Sequence, residues 1–254
     1  MSKVDLLIDY LLSERNDLGN ITVPENEQDK FRLYRSLVNI RPAIKASDDF
    51  LQAEDEYLTA LTESKGITDI LDLVPARDGI YLWKGDITTL RCGAIVNAAN
   101  SGMTGCWQPC HSCIDNCIHT FAGVRLRYEC GQIMEKQGHE EPTGKAKITL
   151  AYNLPCDYVI HTVGPIVQGQ LTDEHCRLLE SSYQNCLELA VQSGIDSIAF
   201  CCISTGVFGF PQDKAAQIAV RTVRQFCKTH NIQVIFDVFG DDDYDIYKKL
   251  LSGN

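Results

Sequence analysis

Beyond Pro75 the chain alternates short, β-rich apolar runs with longer segments whose apolar residues recur at helical spacing. Several of the short runs are apolar on both faces, which requires a sheet covered by helices on both sides. The pattern therefore predicts an α/β domain, in which ligands bind in the loops beyond the carboxyl ends of the strands. The predicted strands are residues 80–84, 94–97, 148–152, 158–162, 197–203 and 233–239, and the predicted helices are residues 115–136, 173–193, 213–230 and 244–251.

The first 70 or so residues are predicted to be helical, because their apolar residues lie at the spacing of one helix face. Pro24, which is followed by polar residues, predicts the start of a second helix, and Pro42 predicts its end. This stretch contains no pattern typical of a reaction centre. We therefore expect a helical N-terminal extension, residues 1–75, packed on a main domain formed by residues 76–254.

The charge balance limits the partners of the chain. Its formal net charge is −11, whereas a surface that binds DNA or RNA neutralises phosphates and is normally basic. We therefore expect no nucleic-acid partner. Any phosphate-bearing ligand must be small and held mainly by backbone N–H groups, at a glycine-rich turn or a helix N-terminus.

The sequence also predicts a cytoplasmic protein without a membrane partner. It contains no run of about 18 apolar residues, and its first residues include Asp5 and Asp9 instead of the basic and then apolar layout of a secretory signal. Twelve cysteines would suggest disulfides in an oxidising compartment. Several of them, however, lie in apolar stretches, where a reduced cysteine behaves as a small buried hydrophobe.

Four cysteines and a histidine crowd into twelve residues, a pattern typical of a metal site in a reduced protein. Cys106, His111 and Cys113 would give zinc two thiolates and one imidazole, with the fourth position left for water or substrate. Cys110 or Cys117 would instead close the metal as a fourth ligand and make the site structural. The remaining alternative is a cluster of reduced buried thiols, which the polar neighbours of these cysteines disfavour.

Two other loops follow predicted strands and contain groups that suit a polar ligand. The sequence Asn97-Ala-Ala-Asn100 delivers two amides to the end of a strand, although both can also bond turn backbone alone. The loop of residues 203–211 contains Gly206 and Gly209 and leads into a helix. Its backbone can therefore approach and bind a diphosphate without basic side chains.

In this order and spacing, the loops resemble those of the macrodomain family of ADP-ribose binders. The resemblance runs from about residue 80 to the C-terminus and departs from the common pattern in one place, where the Cys/His loop replaces a run of glycines. That loop is similar to the one in the zinc-dependent microbial branch of the family. The resemblance implies a three-layer α/β/α fold with a mixed, roughly six-stranded sheet. The matching motifs are Gly85-Asp-Ile87, Ile95-Val-Asn-Ala-Ala-Asn100, Asp115-Asn-Cys-Ile-His-Thr120, Gly144-Lys-Ala146, His161-Thr-Val-Gly-Pro165 and Ile203-Ser-Thr-Gly-Val-Phe-Gly209.

Residue by residue, the resemblance implies a binding site for ADP-ribose. Asp86 would accept a hydrogen bond from the adenine amino group, Asn100 would hold the distal ribose, and Phe239 would stack on adenine unless it is a core aromatic. Asn100 and Asp115 are the implied catalytic residues; Asp115 would orient water or act as an acid or base, unless it only caps the helix that starts there. His161 is expected to be a core histidine bonded to backbone. The implied binding residues are Asp86, Ile87 and Asn100, the diphosphate loop of Ser204, Thr205, Gly206, Val207, Phe208 and Gly209, and Phe239.

The resemblance further implies a zinc-dependent hydrolase that removes mono-ADP-ribose from modified proteins, with one zinc ion per chain. It would cleave the bond at the anomeric carbon of the distal ribose, or an ester from that ribose, and zinc would either lower the pKa of a water or act as a Lewis acid. Alternatives are a non-catalytic reader of ADP-ribose with a structural zinc, or an O-acetyl-ADP-ribose deacetylase. The implied substrate is a modified protein such as a lipoylated carrier protein, with a functional link to a sirtuin-type ADP-ribosyl transferase.

Overall fold

The fold is organised around a mixed six-stranded sheet, seen in a computed structural model that describes residues 2–15, 17 and 21–253. The strands in chain order are β1 (Thr68–Asp69), β2 (Ile80–Lys84), β3 (Leu90–Arg91), β4 (Ala94–Ala98), β5 (Ala146–Leu150), β6 (Tyr158–Thr162), β7 (Ser197–Phe200) and β8 (Gln233–Val238). Across the sheet the order is β2-β8-β7-β4-β6-β5. All neighbours are parallel except β5, which joins β6 antiparallel at the edge. β1 and β3 form a separate parallel pair.

Helices cover the sheet and precede it. In chain order they are α1 (Lys3–Ser13), α2 (Glu27–Ile40), α3 (Asp48–Lys65), α4 (Ile114–Ala122), α5 (Val124–Gln137), α6 (Asp173–Gln192), α7 (Gln212–Cys227) and α8 (Asp241–Ser252). α6 and α8 pack on either side of α7 and contact opposite edges of the sheet, whereas α4 and α5 pack together and against β4 and β5. The prediction of an α/β fold with a mixed six-stranded sheet and N-terminal helices is confirmed. Among the described residues, no helix is both long and apolar enough to cross a membrane.

The central strands are buried on both faces, as their composition predicts. Ala94, Ile95 and Val96 of β4 are completely buried, and β7 is buried along its whole length. Each Val or Ile side chain removed from water in this way contributes about 1.5–3 kcal/mol. The strand ends are therefore rigid supports for the loops that follow them.

The ends of several helices and strands differ from those that the sequence pattern predicts. The predicted helix 115–136 is two helices, because Gly123 between α4 and α5 has a φ of +89°, and a Cβ there would lie 2.5 Å from Glu54 Oε2. The predicted strand 148–152 is shifted to β5, and the predicted strand 197–203 ends with β7. Apolar residues continue past both strand ends and so do not mark them. β1 and β3 were not predicted, since two residues show no periodicity.

The N-terminal residues form three helices with polar caps. The side chains of Ser2, Asn26 and Ser47 accept hydrogen bonds from backbone N–H groups in the first turns of α1, α2 and α3. α2 therefore begins directly after its cap, Asn26, and not at Pro24. It ends two residues before Pro42, in agreement with the predicted stop.

The three N-terminal helices pack on the rest of the chain. Their core includes Leu7, Tyr34 and Leu58, and Val124 of α5 joins it. β1 pairs with β3, so the chain enters the main body before residue 75. The division of the chain at that residue stays a prediction.

A buried carboxyl group joins α3 to the junction between α4 and α5. Glu54 is completely buried; its Oε1 accepts a hydrogen bond from the Tyr34 hydroxyl at 2.6 Å, and its Oε2 accepts one from the Val124 N–H at 3.0 Å. Burial raises the pKa of Glu54 to about 7, because the loss of hydration outweighs the two hydrogen bonds.

We expect Glu54 to make the protein less stable as the pH rises from about 4.5 to about 7. In that interval the folded protein keeps a proton that the unfolded chain has already released, so unfolding releases a proton and is favoured by rising pH. The contribution, about 3 kcal/mol, is complete below the unfolded pKa and lost above the folded one. Urea unfolding of the wild type and Glu54→Gln at about pH 5 and about pH 8 checks this. The wild type should lose more stability than the variant, and an equal loss would contradict the assignment.

Candidate active site

The five parallel strands of the sheet end at one common edge, and the predicted site residues lie in the loops at that edge. Asp86 follows β2, Asn100 follows β4, Ser204 follows β7 and Phe239 follows β8. Open α/β sheets bind ligands in this position. The fold thus brings four widely separated parts of the sequence to one edge of the sheet.

Asp86 and Phe239 lie at neighbouring positions of this edge, because Lys84 of β2 pairs with Val238 of β8. The Phe239 side chain is 87% exposed, so the alternative of a core aromatic is wrong for this residue. Ile87, by contrast, is buried and packs in the main core. This corner of the edge offers an exposed aromatic ring near a carboxylate.

Two neighbours hold the Asp86 carboxylate. Its Oδ1 accepts hydrogen bonds from the Thr88 N–H at 3.0 Å and the Thr88 hydroxyl at 2.6 Å, and its Oδ2 pairs with Lys65 Nζ at 3.0 Å. Partial burial alone would raise the pKa of Asp86, but the Thr88 hydrogen bonds and the Lys65 charge lower it overall. Lys65 Nζ also lies 3.4 Å from the centre of the Phe121 ring. The carboxylate is therefore ionised at neutral pH and keeps acceptor capacity on Oδ2.

The loop after β7 folds back on itself and presents its backbone. Ser204 has a φ of +66°, and its carbonyl oxygen accepts a hydrogen bond from the Phe210 N–H at 2.9 Å, which closes the loop. Val207 at the tip is 82% exposed. Within the part of the chain that the structure describes, the N–H groups of Gly206, Val207 and Phe208 have no hydrogen-bond acceptor. Free N–H groups clustered in one turn suit an anion such as a diphosphate.

Two amides and an acid form a hydrogen-bonded group near the centre of the edge. Asn97 Nδ2 donates to Asp115 Oδ1 at 2.8 Å, and Asn100 Nδ2 donates to Asp115 Oδ2 at 3.2 Å. Asp115 is buried, and burial raises its pKa to about 6 even though both amides lower it. Asp115 is not the cap of α4, since Cys113 occupies that position. The two amides therefore fix the orientation of the Asp115 carboxyl group.

Two buried histidines lie behind this group. His161 Nδ1 is 3.1 Å from Asn97 Nδ2, and its Nε2 is 2.9 Å from Thr149 Oγ1. Backbone partners are expected for this histidine from the sequence, but its hydrogen-bond partners are side chains. Burial lowers the pKa of His161 to about 3 and holds that of His119 well below its usual range. His119 Nε2 lies 3.6 Å from Asp115 Oδ1, and among the described residues neither of its ring nitrogens has a hydrogen-bond partner. Both rings are therefore neutral at physiological pH.

Cys106, His111 and Cys113, here called the metal trio, lie together in the loop that precedes α4. Their ligand atoms are all within 4.8 Å of one another, and Cys106 Sγ is 3.7 Å from His111 Nδ1. Burial raises the pKa of the Cys113 thiol to about 12, and the adjacent Cys106 adds to the rise. Two sulfurs and an imidazole are the soft donor set that suits zinc, so these residues fit that metal.

The two cysteines that would close the metal site face α2 instead. Cys110 Sγ donates to the Arg32 carbonyl oxygen at 3.3 Å. Cys117 Sγ lies 3.5 Å from a guanidinium nitrogen of Arg35. Neither sulfur belongs to the group of side chains with metal-ligand spacing. The geometry thus favours three protein ligands over four.

A second group of side chains has ligand spacing but lies in the core. His119, Cys130 and His161 are all buried, and their ligand atoms are within 4.8 Å of one another. Both nitrogens of His161 already have side-chain partners. This group therefore fits a packed interior better than a metal site.

The comparison with known proteins identifies the family. A family model described as Macro domain matches residues 96–219. A protein-ADP-ribose hydrolase of Treponema medium is 56% identical over 252 residues, which are 97% of this chain and 97% of that protein. The chain belongs to the macrodomain family.

Two further proteins are similar to this macrodomain over most of its length. A probable bifunctional ADP-ribose hydrolase/ADP-ribosyltransferase of Fusarium oxysporum f. sp. cubense is 41% identical over 245 residues, which are 88% of this chain and 41% of that longer protein. The crystal structure of a Trypanosoma brucei macrodomain in complex with ADP-ribose shares 28% identity at a TM-score of 0.67, covering 90% of this chain and 97% of that one. The similarity therefore extends well beyond the residues matched by the family model.

Three side chains near the macrodomain edge were not assigned to the site from sequence. Asn97 belongs to a recognisable motif, but nothing in the sequence predicts its hydrogen bond to Asp115. His119 lies four residues after Asp115, a spacing that places both on one helix face and was the available signal. Lys65 gave no signal, because it approaches Asp86 from α3 of the N-terminal extension.

Proposed function

We propose that this macrodomain is a zinc-dependent hydrolase that removes mono-ADP-ribose from modified proteins. The observation that carries the proposal is the position of the metal trio beside the Asn100–Asp115 pair. The Gly105 carbonyl oxygen, directly before Cys106, accepts a hydrogen bond from Asn100 Nδ2 at 3.0 Å, and Cys113 is two residues before Asp115. The name of the Treponema medium relative supports the substrate class, and the ligand of the Trypanosoma brucei structure supports ADP-ribose as the bound group.

The other loops of the edge supply groups for the rest of ADP-ribose. Adenine would stack on Phe239 and donate an amino hydrogen to Asp86, and the diphosphate would accept hydrogen bonds from the free N–H groups after β7. Both amide hydrogens of Asn100 are already donated, to Gly105 and Asp115, and a backbone N–H uses one lone pair of its Oδ1. A hydroxyl of the distal ribose would donate to the remaining lone pair of that oxygen.

The proposed reaction adds water to the bond between the distal ribose and the protein, giving ADP-ribose and the free side chain. Asp115, held by two amides, is the group placed to take up or deliver a proton in that step. When bound at the metal trio, zinc would supply Lewis acidity toward water or toward an oxygen of the distal ribose.

The orientation of Cys110 and Cys117 favours this proposal over a reader of ADP-ribose with a structural zinc. A closed structural site needs a fourth protein ligand, and both sulfurs are engaged with α2. An O-acetyl-ADP-ribose deacetylase would use the same edge of the sheet and differs in what the distal ribose carries.

We also propose a cytoplasmic setting in which a sirtuin-type ADP-ribosyl transferase modifies the substrate, for example a lipoylated carrier protein. The name of the Fusarium oxysporum relative combines a hydrolase with an ADP-ribosyltransferase. That combination supports a link between adding and removing ADP-ribose. The net charge of −11 agrees with a protein substrate and not a nucleic acid.

Release of ADP-ribose from a mono-ADP-ribosylated protein tests the proposal. We expect the purified chain to bind one zinc ion and to release ADP-ribose; a chelator should remove most of this activity, and added zinc should restore it. Binding of ADP-ribose without release would identify a reader. Preference for O-acetyl-ADP-ribose in a competition would identify a deacetylase. Full activity of the metal-free protein would contradict the role of zinc but not the hydrolase activity.

A further inference from the structure

We infer that helix α2 of the N-terminal extension holds the metal-binding loop in its ligating conformation, with Arg35 as a positioning residue. This inference rests on the zinc site of the proposed function. The metal-binding loop, residues 99–113 between β4 and α4, is fully described and contains no helix or strand. Its conformation therefore depends on the elements that pack around it.

Arg35 forms hydrogen bonds to the backbone of the metal ligand His111 and to the first turn of α4. Its Nη2 donates to the His111 carbonyl oxygen at 2.7 Å and to Asn116 Oδ1 at 2.8 Å, and its Nε donates to the same Asn116 oxygen at 3.1 Å. Asn116 Nδ2 in turn donates to the Gln108 carbonyl oxygen at 2.9 Å. A charged, two-pronged donor of this kind gives strong and directional hydrogen bonds. Arg35 therefore joins the second half of the loop and the start of α4 to one helix.

α2 also stabilises a residue in an unfavourable conformation next to His111. Cys110 has a φ of +55°, in the left-handed region that residues other than glycine rarely adopt. Asn39 Oδ1 accepts a hydrogen bond from the Cys110 N–H at 2.9 Å. Asn39 is itself buried, and its side chain donates a hydrogen bond to Thr120 Oγ1 at 3.1 Å. The Arg32 carbonyl oxygen accepts a hydrogen bond from the Cys110 thiol. The Asn39 contact, which is made to the backbone, keeps the loop in the turn that places His111 beside the two cysteines.

The end of α2 is fixed near the first metal ligand by Arg127 of α5. Arg127 Nη1 donates to the carbonyl oxygens of Val38, Asn39 and Arg41 at 3.0, 2.6 and 2.9 Å. Its Nη2 lies 3.4 Å from the Cys106 carbonyl oxygen. The terminal carbonyl groups of a helix bear partial negative charge, which the buried guanidinium neutralises. α2 and the loop therefore share one hydrogen-bonded network at two of the three metal ligands.

Zinc affinity, measured on the full chain by competition with a chromophoric chelator, tests the inference. Arg35→Met keeps the length of the side chain but removes its hydrogen bonds, and we expect zinc affinity to fall about 10- to 100-fold, as when other residues that orient metal ligands are lost. Arg35→Lys keeps the charge without the fork of donors and should give an intermediate affinity. The matched control is Arg125→Met. Arg125 also joins the extension to the main body, but through Asp55 and Tyr152 and not the loop, so its loss should leave zinc affinity unchanged.

The outcomes separate positioning from general stability. Circular dichroism and thermal unfolding of the zinc-free variants show whether each is folded, and Arg35→Lys provides the comparison if Arg35→Met is not. Wild-type zinc affinity in the Arg35 variants would overturn the inference, and so would an equal loss in the Arg125→Met control. A wild type that binds no zinc would refute the zinc site of the proposed function, and this inference with it, before any variant is measured.

Discussion

Cys113→Ala is expected to lose its zinc and to release ADP-ribose from a modified protein about 100-fold or more slowly than the wild type. The variant removes one sulfur of a trio whose ligand atoms lie within 4.8 Å of one another, which leaves the metal two protein ligands. A metal that acts as a Lewis acid or activates water contributes several kcal/mol to the transition state, and about 2.7 kcal/mol is already a factor of 100. Metal content and the rate of ADP-ribose release, measured on the same preparation, check the expectation.

The matched control for this experiment is Cys110→Ala, the same substitution three residues away in the same loop. Cys110 Sγ faces the Arg32 carbonyl oxygen and lies outside the metal trio. We expect Cys110→Ala to keep its zinc and its activity, because Asn39 holds the backbone N–H of this residue and that contact does not need the thiol. Loss of zinc from both variants would mean that four cysteine and histidine ligands close the site. A Cys113→Ala protein that lacks zinc but keeps full activity would remove the metal from the mechanism.

Much of the fold was predictable, because the strands of the main sheet are short, apolar and separated by amphipathic helices. A buried parallel sheet imposes that pattern on any sequence that forms it. The element ends were less predictable, since apolar residues continue past β5 and β7 into their loops. The break between α4 and α5 depends on the conformation of Gly123 and on its contact with Glu54 of α3. A contact between residues so far apart in the chain leaves no local signal.

The candidate site likewise contains residues that the sequence predicts and residues that only the folded structure reveals. The metal trio and the Asn100 and Asp115 motifs each lie within a few residues of sequence, so their donor chemistry can be recognised locally. Arg35 reaches the carbonyl group of His111 from 76 positions away, and Lys65 reaches Asp86 from 21. In the sequence, such residues cannot be distinguished from the other polar residues on the solvent-exposed face of a helix. Only the folded chain shows that the N-terminal extension meets the site.

Asp115→Asn is expected to lower turnover by about 10²- to 10⁴-fold, the usual contribution of a positioned acid or base, while zinc and ADP-ribose still bind. In the wild type the two carboxyl oxygens accept hydrogen bonds from Asn97 Nδ2 and Asn100 Nδ2. An asparagine offers one oxygen and one NH2 group, so its NH2 must face the NH2 of one of these amides. The substitution therefore removes the exchangeable proton and also disturbs one amide. Turnover at saturating substrate, zinc content and the Kd of ADP-ribose are the measurements.

Asn100→Ala distinguishes these two effects, because it removes one amide and leaves the acid. Its Oδ1 is the atom proposed to hold the distal ribose, so we expect weaker substrate binding together with slower turnover. If Asp115→Asn kept full turnover, the carboxyl group would serve only to hold the amides in place. If it lost zinc, the carboxyl group would act through the loop that ends at Cys113, two residues earlier in the chain. Slow turnover with zinc retained and a smaller loss of ADP-ribose affinity than in Asn100→Ala is the combination that a group acting on the reacting atoms produces, since loss of a purely structural contact would weaken binding as much as it slows turnover.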